Sequence, residues 1–309
     1  MPSAAALKTR LAPRDLLLTL TVVAVWGYTF VPIKVALAEV PPFALAALRF
    51  FVAAVPMFLF IKPPTMPWSS VVGYGAAIGI FQFGLLFLGI KLGMPAGLSS
   101  LVIQIQAFFT IALAVVFAGD RVGRHHIVGG AIAVIGMGVL GAYKVAAGSG
   151  GTLVGFLLVI AAALAWAVGN IIAKRGAGTH GADMFALVVW SSLVPPIPLA
   201  LLSFATEGGT QAMQAVMSMS LKAWACVLVM SYGATLFGFG RWNALLHRYP
   251  TALILPFSLL IPVSGLASGA LFLDESLAPM QAVGALLVFI GLAINVYGLD
   301  FRAWLARRA

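Results

Sequence analysis

Few side chains in this sequence combine a polar group with a position inside a long apolar stretch, and those few define its chemistry. They are one guanidinium and six amides or hydroxyls: Arg49, Gln82, Ser100, Gln104, Asn170, Tyr232 and Thr235. Groups of this kind bind polar ligands through hydrogen bonds. Because a polar group in hydrocarbon is costly unless it is paired, each must face a cavity, water or another helix. The alternative role for each is to hold helices together.

Arg49 is the one charge well inside an apolar stretch, and it has two interpretations. It lies seven residues beyond Pro42, or about 10 Å along a helix that rises about 1.5 Å per residue. In the functional interpretation it recognises a substrate carboxylate. In the alternative, which we favour on the sequence, it pairs with Glu39 or with helix-end carbonyls and steadies the outer mouth of the protein.

Acid–base and metal chemistry have little support. All eight acidic residues lie at predicted helix ends, in loops or in tails: Asp15, Glu39, Asp120, Asp183, Glu207, Asp274, Glu275 and Asp300. The four histidines also lie at predicted helix ends. Cys226 is the single cysteine, which excludes an internal disulfide and a cysteine metal cluster. We therefore predict no metal, no cofactor and no proton relay through a buried carboxylate.

The composition places these residues in a membrane protein. Hydrophobic residues make up 62% of the 309 residues and charged residues 8%, with a mean hydropathy of +1.09. Soluble domains have about 25% charged residues, so this chain is solvated by lipid. The net charge of +10 does not indicate nucleic acid, because the basic residues lie in short turns and at the termini rather than on one face.

The elements that position the polar residues are predicted to be ten transmembrane helices, which gives an all-α integral membrane protein. A spanning helix needs about 20 largely apolar residues. The stretches that meet this requirement are 15–38, 42–61, 68–90, 95–118, 125–143, 152–173, 183–204, 222–243, 250–272 and 277–298. The first is too long for a signal peptide and no small-residue cleavage site follows it, so it is interpreted as a helix that stays in place.

The placement of lysine and arginine predicts the orientation. Twelve of them fall on the side of the N-terminus, including Lys8, Arg10 and Lys174, and four fall on the other: Lys34, Lys91, Lys144 and Lys222. Basic residues concentrate on the cytoplasmic side of membrane proteins. Both termini are therefore predicted to be cytoplasmic, in a multi-pass protein of a bacterial-type inner membrane.

The two halves of the chain repeat each other. WGYTFVPIK (26–34) and WAVGNIIAK (166–174) share their frame at an offset of 140. Further along the offset is 155, in the pairs Pro95/Pro250, Asp120/Glu275, Gly129/Gly284 and Gly136/Gly291. Five spans per copy is an odd number, so the second copy enters the membrane from the opposite side. We predict two inverted repeats, residues 1–146 and 147–309, with the substrate site between them near mid-depth.

Aromatic residues at mid-depth predict the character of that site. With the polar residues above, the candidates for substrate binding include Trp26, Tyr28, Phe83 and Trp166. Such walls suit amino acids with apolar or aromatic side chains. Phe30 and Phe237 are weaker candidates, and Phe30 in the first copy stands where the second copy has Asn170.

Proline and one lysine are the candidates for gating and hinge motion. Pro32, Pro256 and Pro262 each remove a backbone hydrogen bond inside a predicted helix. Lys34 reaches the outer surface along its stem. The pairs Gly75/Gly79 and Gly265/Gly269 have the small-xxx-small spacing that allows close helix contact.

These features together resemble one family. The WG-x-x-F-x-x-x-K pattern of Trp26–Lys34, Arg49 in LRF, and the helix-end acids in AGDRVGRHHIVGGAIAVIGM and LDESLAPMQAVGALLVFIGL are similar to those of EamA-type proteins of the drug/metabolite transporter superfamily. The resemblance covers nearly the whole chain. It implies ten helices in two EamA repeats and export of amino acids or related metabolites, and some relatives move drugs or nucleotide sugars.

The predicted function is therefore a membrane exporter of amino acids and related metabolites that works by alternating access. Its partners are a small-molecule substrate and the lipid bilayer, without nucleic acid, and a monomer is expected. The alternatives are a multidrug or nucleotide-sugar carrier of the same fold, or a channel. An intramembrane serine protease would need G-x-S-G and a histidine at depth, and the nearest stretch, GLASG at 265–269, has the wrong spacing.

Overall fold

The computed structural model describes residues 11–118, 123–146, 150–177, 183–249 and 254–306, and every regular element in those ranges is helical. Eight helical stretches there are long and apolar enough to cross a membrane. Two shorter apolar helices, Pro42–Ala54 and Phe257–Leu273, accompany them. The expectation of an all-α membrane protein is confirmed. Asp120 and Pro250, two members of the sequence repeat, lie outside the described residues.

Helices α1 to α5 form the first half of the chain, and three of them are interrupted. Their segments are Pro13–Tyr28 and Phe30–Ala36 in α1, Pro42–Ala54 in α2, Trp68–Tyr74, Gly75–Gln82 and Phe83–Lys91 in α3, Ala96–Val102, Ile103–Ile105 and Gln106–Ala118 in α4, and Arg124–Ala146 in α5. The middle segment of α3 is a π-helix and that of α4 is a 3₁₀-helix.

Helices α6 to α10 form the second half. Their segments are Gly150–Ala177 in α6, Met184–Ser191 and Pro196–Thr206 in α7, Leu221–Leu228, Val229–Gly238 and Phe239–Arg248 in α8, Leu255–Leu259 and Leu260–Leu273 in α9, and Pro279–Ala306 in α10. The middle of α8 is a π-helix and α9 begins as a 3₁₀-helix. A short helix, Thr210–Met217, connects α7 to α8.

Prolines explain some of the interruptions. A proline removes one backbone hydrogen bond and its ring clashes with the carbonyl four residues earlier. In α1 the break at Thr29 comes three residues before Pro32, and the Thr29 hydroxyl donates to the Val25 carbonyl at 2.6 Å. The predicted span 42–61 is helical only to Ala54, because Pro56 follows and the chain continues in turns.

The two π-helical segments are related by one of the offsets found in the sequence. Gly75–Gln82 and Val229–Gly238 coincide when the sequence offset of 155 is applied. The first packs on the break in α7, where a Cβ on Gly79 would lie 1.8 Å from Pro195 and one on Gly75 would lie 2.5 Å from the Ser191 carbonyl. The expected close helix contact at Gly75 and Gly79 is therefore confirmed.

Carboxylates at helix ends hold neighbouring helices by their N-termini. Glu207 accepts hydrogen bonds from the amides of Phe43 and Ala44 at the start of α2, and Glu275 accepts from those of Ala96 and Gly97 at the start of α4. Asp183 caps α7. An N-terminal carboxylate satisfies unpaired amides and opposes the positive end of the helix dipole.

Glu39 does the same for α8, which excludes one interpretation of Arg49. The Glu39 carboxylate accepts from the Ser220 hydroxyl at 2.6 Å and from the Ser220 amide at 2.8 Å. These hydrogen bonds lower the pKa of Glu39. The predicted Arg49–Glu39 pair is wrong, because Glu39 binds Ser220 and Arg49 binds a different partner.

The helix ends define two ends of the bundle. At the Lys34 end, the Lys91 ammonium donates to the Leu37 carbonyl at 2.6 Å, and Lys34 lies 4.0 Å from Glu275. At the Lys174 end, the neighbouring Arg175 donates to the Phe117 carbonyl. The glycines of α5 and α10 serve tight packing, since a Cβ on Gly129 would lie 2.6 Å from the Gly291 carbonyl.

Candidate functional site

A central cavity lies among seven of the helices and is named here the inner chamber. Its walls come from α1, α2, α3, α4, α6, α8 and α9: Trp26, Thr29, Phe30, Ile33, Arg49, Gln82, Phe83, Leu86, Ile103, Gln104, Trp166, Ala234, Phe239 and Ile261. The walls are mainly aromatic and aliphatic, with a few polar groups. Pockets of this composition are typical of small-molecule sites.

A second cavity continues the inner chamber toward the Lys174 end. This vestibule shares Trp26, Gln104, Trp166, Phe239 and Ile261 with the inner chamber. It adds more polar walls, among them Gln106, Asn170 and Ser258. Lys174, which is exposed, also lines it, so the vestibule reaches the surface at that end.

Arg49 is the cationic group of the inner chamber and is almost wholly buried, with 2% of its surface exposed. Its Nη2 donates to the Thr235 hydroxyl at 3.1 Å, and its guanidinium lies 3.8 Å from the centre of the Phe83 ring. Stacking on an aromatic face stabilises a cation out of water. The Nε and Nη1 atoms have no hydrogen-bond partner. Thr235 and Phe83 therefore hold Arg49 while part of its donor set stays unused.

Gln82 supplies an unused acceptor in the same chamber. The residue is 3% exposed, and its Oε1 is buried without a hydrogen-bond partner. It is the last residue of the π-helical segment of α3. π-Helical turns often occur at functional sites, because they present backbone and side-chain groups that a regular helix would not.

Trp26 is fixed to the other π-helical segment. Its indole Nε1 donates to the Ala234 carbonyl at 2.8 Å. Its ring packs against Phe239 and Trp242 with centroid separations of 5.2 and 5.3 Å. The indole therefore forms a rigid wall between the inner chamber and the vestibule.

The polar walls of the vestibule form a network. The Asn170 amide donates to Gln106 Oε1 at 2.9 Å and to the Thr110 hydroxyl at 3.2 Å. Gln104 donates to the Ser258 carbonyl at 3.3 Å. Asn170 thus joins α6 to α4 beside the passage, and Gln104 joins α4 to α9.

The Lys34 end of the bundle is closed by tight packing of α1, α4 and α9. A Cβ on Gly27 would lie 2.6 Å from the Ile261 carbonyl, and one on Gly265 would lie 2.1 Å from the Ser100 hydroxyl. Glu275 binds the start of α4 and lies 4.0 Å from Lys34. Pro262 is buried in α9 near this contact, and Pro256 lies in its 3₁₀ segment.

Among known proteins, a model described as the EamA-like transporter family matches residues 14–142 and again residues 153–297. The chain belongs to the EamA-like transporter family. The resemblance seen in the sequence is thereby confirmed. Curated relatives include a "Probable amino-acid metabolite efflux pump" from Salmonella typhimurium, 43% identical over 293 residues that cover 94% of this chain and 97% of the relative.

Two further curated relatives of this EamA-like transporter have similar descriptions. A protein from Escherichia coli K12 with the same description is 43% identical over 291 residues, 94% of this chain and 97% of that one. A "Probable terminal-alkyne amino-acid exporter" from Streptantibioticus cattleyicolor is 26% identical over 286 residues, 90% of this chain and 91% of that one.

A solved crystal structure has the same fold as this transporter. It superimposes with a TM-score of 0.60 at 20% identity, over 91% of this chain and 95% of that chain. At this identity the likeness concerns the fold alone.

The structure brings most of the sequence-predicted residues to one place. Trp26, Arg49, Gln82, Phe83, Gln104 and Trp166 line the inner chamber, and Asn170 lines the vestibule. Thr235 lines a side pocket beside Phe83 and holds Arg49.

Three predicted contacts lie elsewhere. Tyr28 is 37% exposed and packs its ring against Phe272. Ser100 is fully buried and donates to the Gly97 carbonyl. Tyr232, on α8, is not among the residues that line the described cavities. Their substrate-binding roles are therefore not carried into the proposal below.

Phe30 lines the inner chamber, although the sequence ranked it among the weaker candidates. Helix geometry contains the signal that was missed: Phe30 follows Trp26 by four residues, so both lie on one helix face, whereas Tyr28 lies about 200° around the helix from Trp26. Phe239, another lining residue, had no such signal.

Among the described residues, no group of three or more His, Cys, Asp or Glu side chains is placed to hold a metal ion.

Proposed function

We propose that this chain exports amino acids and related small metabolites by alternating access around the inner chamber. The observation that carries the proposal is the shape of the cavity. The inner chamber continues through the vestibule to the Lys174 end, while α1, α4 and α9 pack tightly at the Lys34 end. A ligand in the chamber would therefore communicate with one side of the membrane at a time. The descriptions of the relatives from Salmonella typhimurium and Escherichia coli support the substrate class.

The second part of the proposal is that two inverted five-helix repeats, residues 1–146 and 147–309, move against each other. Three observations support it: the family model matches twice, the π-helical segments of α3 and α8 coincide at the offset of 155, and both halves line the inner chamber. Substrate sites between inverted repeats are typical of secondary transporters.

The third part concerns direction. With both termini in the cytoplasm, as the distribution of lysine and arginine predicts, the Lys174 end faces the cytoplasm of a bacterial-type inner membrane. The vestibule then loads substrate from inside the cell, which suits an exporter.

The test is counterflow in liposomes that contain the purified protein. We expect saturable exchange of labelled amino acids, and we expect Ala234→Leu, which fills the chamber, to slow it at least tenfold. Ala270→Leu, on an exposed position of α9, is the matched control and should transport normally. Flux that does not saturate would indicate a channel. Movement of a nucleotide sugar or a cationic drug without any amino acid would refute the substrate class.

A further inference from the structure

Two unsatisfied polar groups in the inner chamber indicate what part of a substrate is recognised there. Arg49 Nε and Nη1 are donors without acceptors, and Gln82 Oε1 is an acceptor without a donor. Both residues are at least nine-tenths buried, and both line the inner chamber. Leaving buried polar groups unpaired costs free energy. A ligand that carries both a carboxylate and an amine would satisfy all three atoms.

The hydrogen bond to Thr235 leaves Arg49 with a complete two-pronged edge. A guanidinium has five N–H donors, and the two hydrogens of Nη2 run parallel to those of Nε and Nη1 respectively. Thr235 accepts from Nη2, and whichever of its hydrogens is used, the other still forms a parallel pair with an unpartnered nitrogen. Carboxylates bind such pairs in a bidentate manner.

The charges around Arg49 also indicate that the ligand carries an anionic group. The acidic residues whose hydrogen bonds are described above are engaged at helix ends, Glu39 with Ser220 and Glu207 with the start of α2. The described partners of the Arg49 side chain are one hydroxyl and three aromatic rings, Phe50, Phe83 and Phe87. A substrate carboxylate would supply the missing counter-charge.

We propose that the inner chamber binds the head group of an α-amino acid, with its carboxylate on Arg49 and its ammonium on Gln82 Oε1. This assignment rests on the proposed function and deepens it. Thr235 and Phe83 act as positioning residues for the guanidinium. The apolar walls, including Phe30 and Trp166, receive the side chain of the substrate. The site is therefore specific for the head group and accepts different side chains.

Binding requires a small rearrangement around Arg49. The unpartnered nitrogens are shielded in this conformation, and the Phe83 ring covers one face of the guanidinium. The edge of the guanidinium, rather than its face, carries the N–H groups, so the stacked ring can stay in place. The groups that shield that edge move aside when the substrate carboxylate binds.

The test compares three ligands of one shape on the purified full-length protein: phenylalanine, phenethylamine, which lacks the carboxylate, and 3-phenyllactate, which lacks the ammonium. Half-saturating concentrations come from thermal-shift titrations in detergent. The wild-type protein should bind phenylalanine at least tenfold more tightly than either analogue, since each loses charge-assisted hydrogen bonds.

Substitutions of Arg49 and Gln82 test the carboxylate and ammonium interactions separately. Arg49→Gln should reduce the preference for phenylalanine over phenethylamine about tenfold or more, and Arg49→Lys, which keeps the charge without the fork, should reduce it less. Gln82→Met should instead reduce the preference over 3-phenyllactate. Arg241→Gln and Gln214→Met, at exposed positions, are the matched controls and should leave both preferences unchanged. A ratio within one variant does not depend on how much of the protein is folded.

Two results separate this inference from the proposed function. If phenylalanine exchanges in liposomes but Arg49→Gln and Arg49→Lys weaken all three ligands equally, the head-group assignment is refuted and the transport function stands. If neither exchange nor binding of any amino acid is found with the wild-type protein, the proposed function fails and the assignment fails with it.

Discussion

At the scale of single residues, Trp26 shows how an aromatic side chain can line a cavity and also hydrogen-bond a neighbouring helix. Its indole spans the boundary between the inner chamber and the vestibule, and its N–H reaches the Ala234 carbonyl. That carbonyl lies in the π-helical segment of α8. In a membrane each indole N–H needs such a partner, so Trp26 also joins α1 to α8.

Replacing Trp26 by phenylalanine should therefore weaken the fold. The variant keeps an aromatic ring but leaves the Ala234 carbonyl without its donor, a loss of about 1–3 kcal/mol for a buried group. The expected result is a lower melting temperature in detergent. Trp68→Phe is the matched control, because Trp68 is 56% exposed and should melt as the wild type does. Equal melting of both variants would contradict the structural role of the indole hydrogen bond.

The residues of the site could be predicted in part from the sequence. Depth along a span is a simple count from its end, which is why Arg49, Gln82 and Gln104 were found. Direction around the helix axis was not used, and on a regular helix it places Tyr28 about 200° from Trp26. For Tyr232 and Thr235 even regular helix geometry would not suffice, because both lie in a π-helical segment with wider turns.

At the scale of elements, the glycines of α5 and α10 are needed for a contact between two backbones. A Cβ on Gly136 would lie 2.7 Å from the Gly284 carbonyl and 2.8 Å from the Val288 amide nitrogen. Gly138, two residues further on the same helix, has nothing within 4 Å of its Cβ position. The same substitution at these two positions should therefore have different effects.

Gly136→Ala should lower the melting temperature in detergent, since separating two packed helices costs about 1–3 kcal/mol. Gly138→Ala should leave it unchanged or raise it, because alanine favours a helix by up to about 1 kcal/mol over glycine. Differential scanning fluorimetry of both proteins gives the comparison. If Gly136→Ala melted at or above the temperature of Gly138→Ala, α5 and α10 could not pack as described.

Glu275 holds three helices together at the closed end, because it joins α9 to α4 and approaches Lys34 of α1. Glu275→Gln should weaken the cap of α4 and remove the ion pair. A loss of about 1 kcal/mol would favour opening at the Lys34 end about fivefold. Labelling of Ala234→Cys in a Cys226→Ser background, with a membrane-impermeant maleimide applied from that end, measures the change.

Glu207→Gln is the control for that experiment. Glu207 caps α2 through two amides at the same end of the bundle, and no salt bridge joins it to a described lysine or arginine within 4.0 Å. It should therefore leave the labelling rate nearly unchanged. Equal acceleration by both variants would show that any lost cap loosens the bundle, and that Glu275 has no particular role in closure.

The helical spans could be predicted from the sequence better than the breaks and π-helical segments within them. Long apolar runs set the spans, because about 20 apolar residues are needed to cross the hydrocarbon. The break in α7 packs against the π-helical segment of α3: Pro195 lies where Gly79 leaves room, and Ser191 and Val194 lie where Gly75 does. Such a dependence between distant parts of the chain is not visible in local patterns.

At the scale of the whole molecule, the arrangement combines a passage open at the Lys174 end with a closed Lys34 end. Among the described residues, the carboxylates named above bind at helix ends. The walls of the inner chamber contain a guanidinium, amides and aromatic rings instead. Inside a membrane, ionisable groups at depth are the usual carriers of protons. Among the described residues that line the inner chamber, none is acidic or a histidine.

Transport should therefore not require a proton gradient. In liposomes with the purified protein, the initial rate of amino-acid exchange should stay within about twofold when a pH gradient is imposed or when a protonophore removes it, because the described chamber walls include no carboxylate or imidazole to carry a proton. The pH gradient itself is verified with a dye enclosed in the liposomes.

Uphill accumulation that depends on the proton gradient would contradict this prediction. It would direct attention to Asp120, which lies outside the described residues, and to Asp15, which accepts a hydrogen bond from Tyr249 at 2.7 Å. Exchange that follows only the amino-acid gradient would instead agree with a carrier whose central guanidinium pairs with the carboxylate of its own substrate.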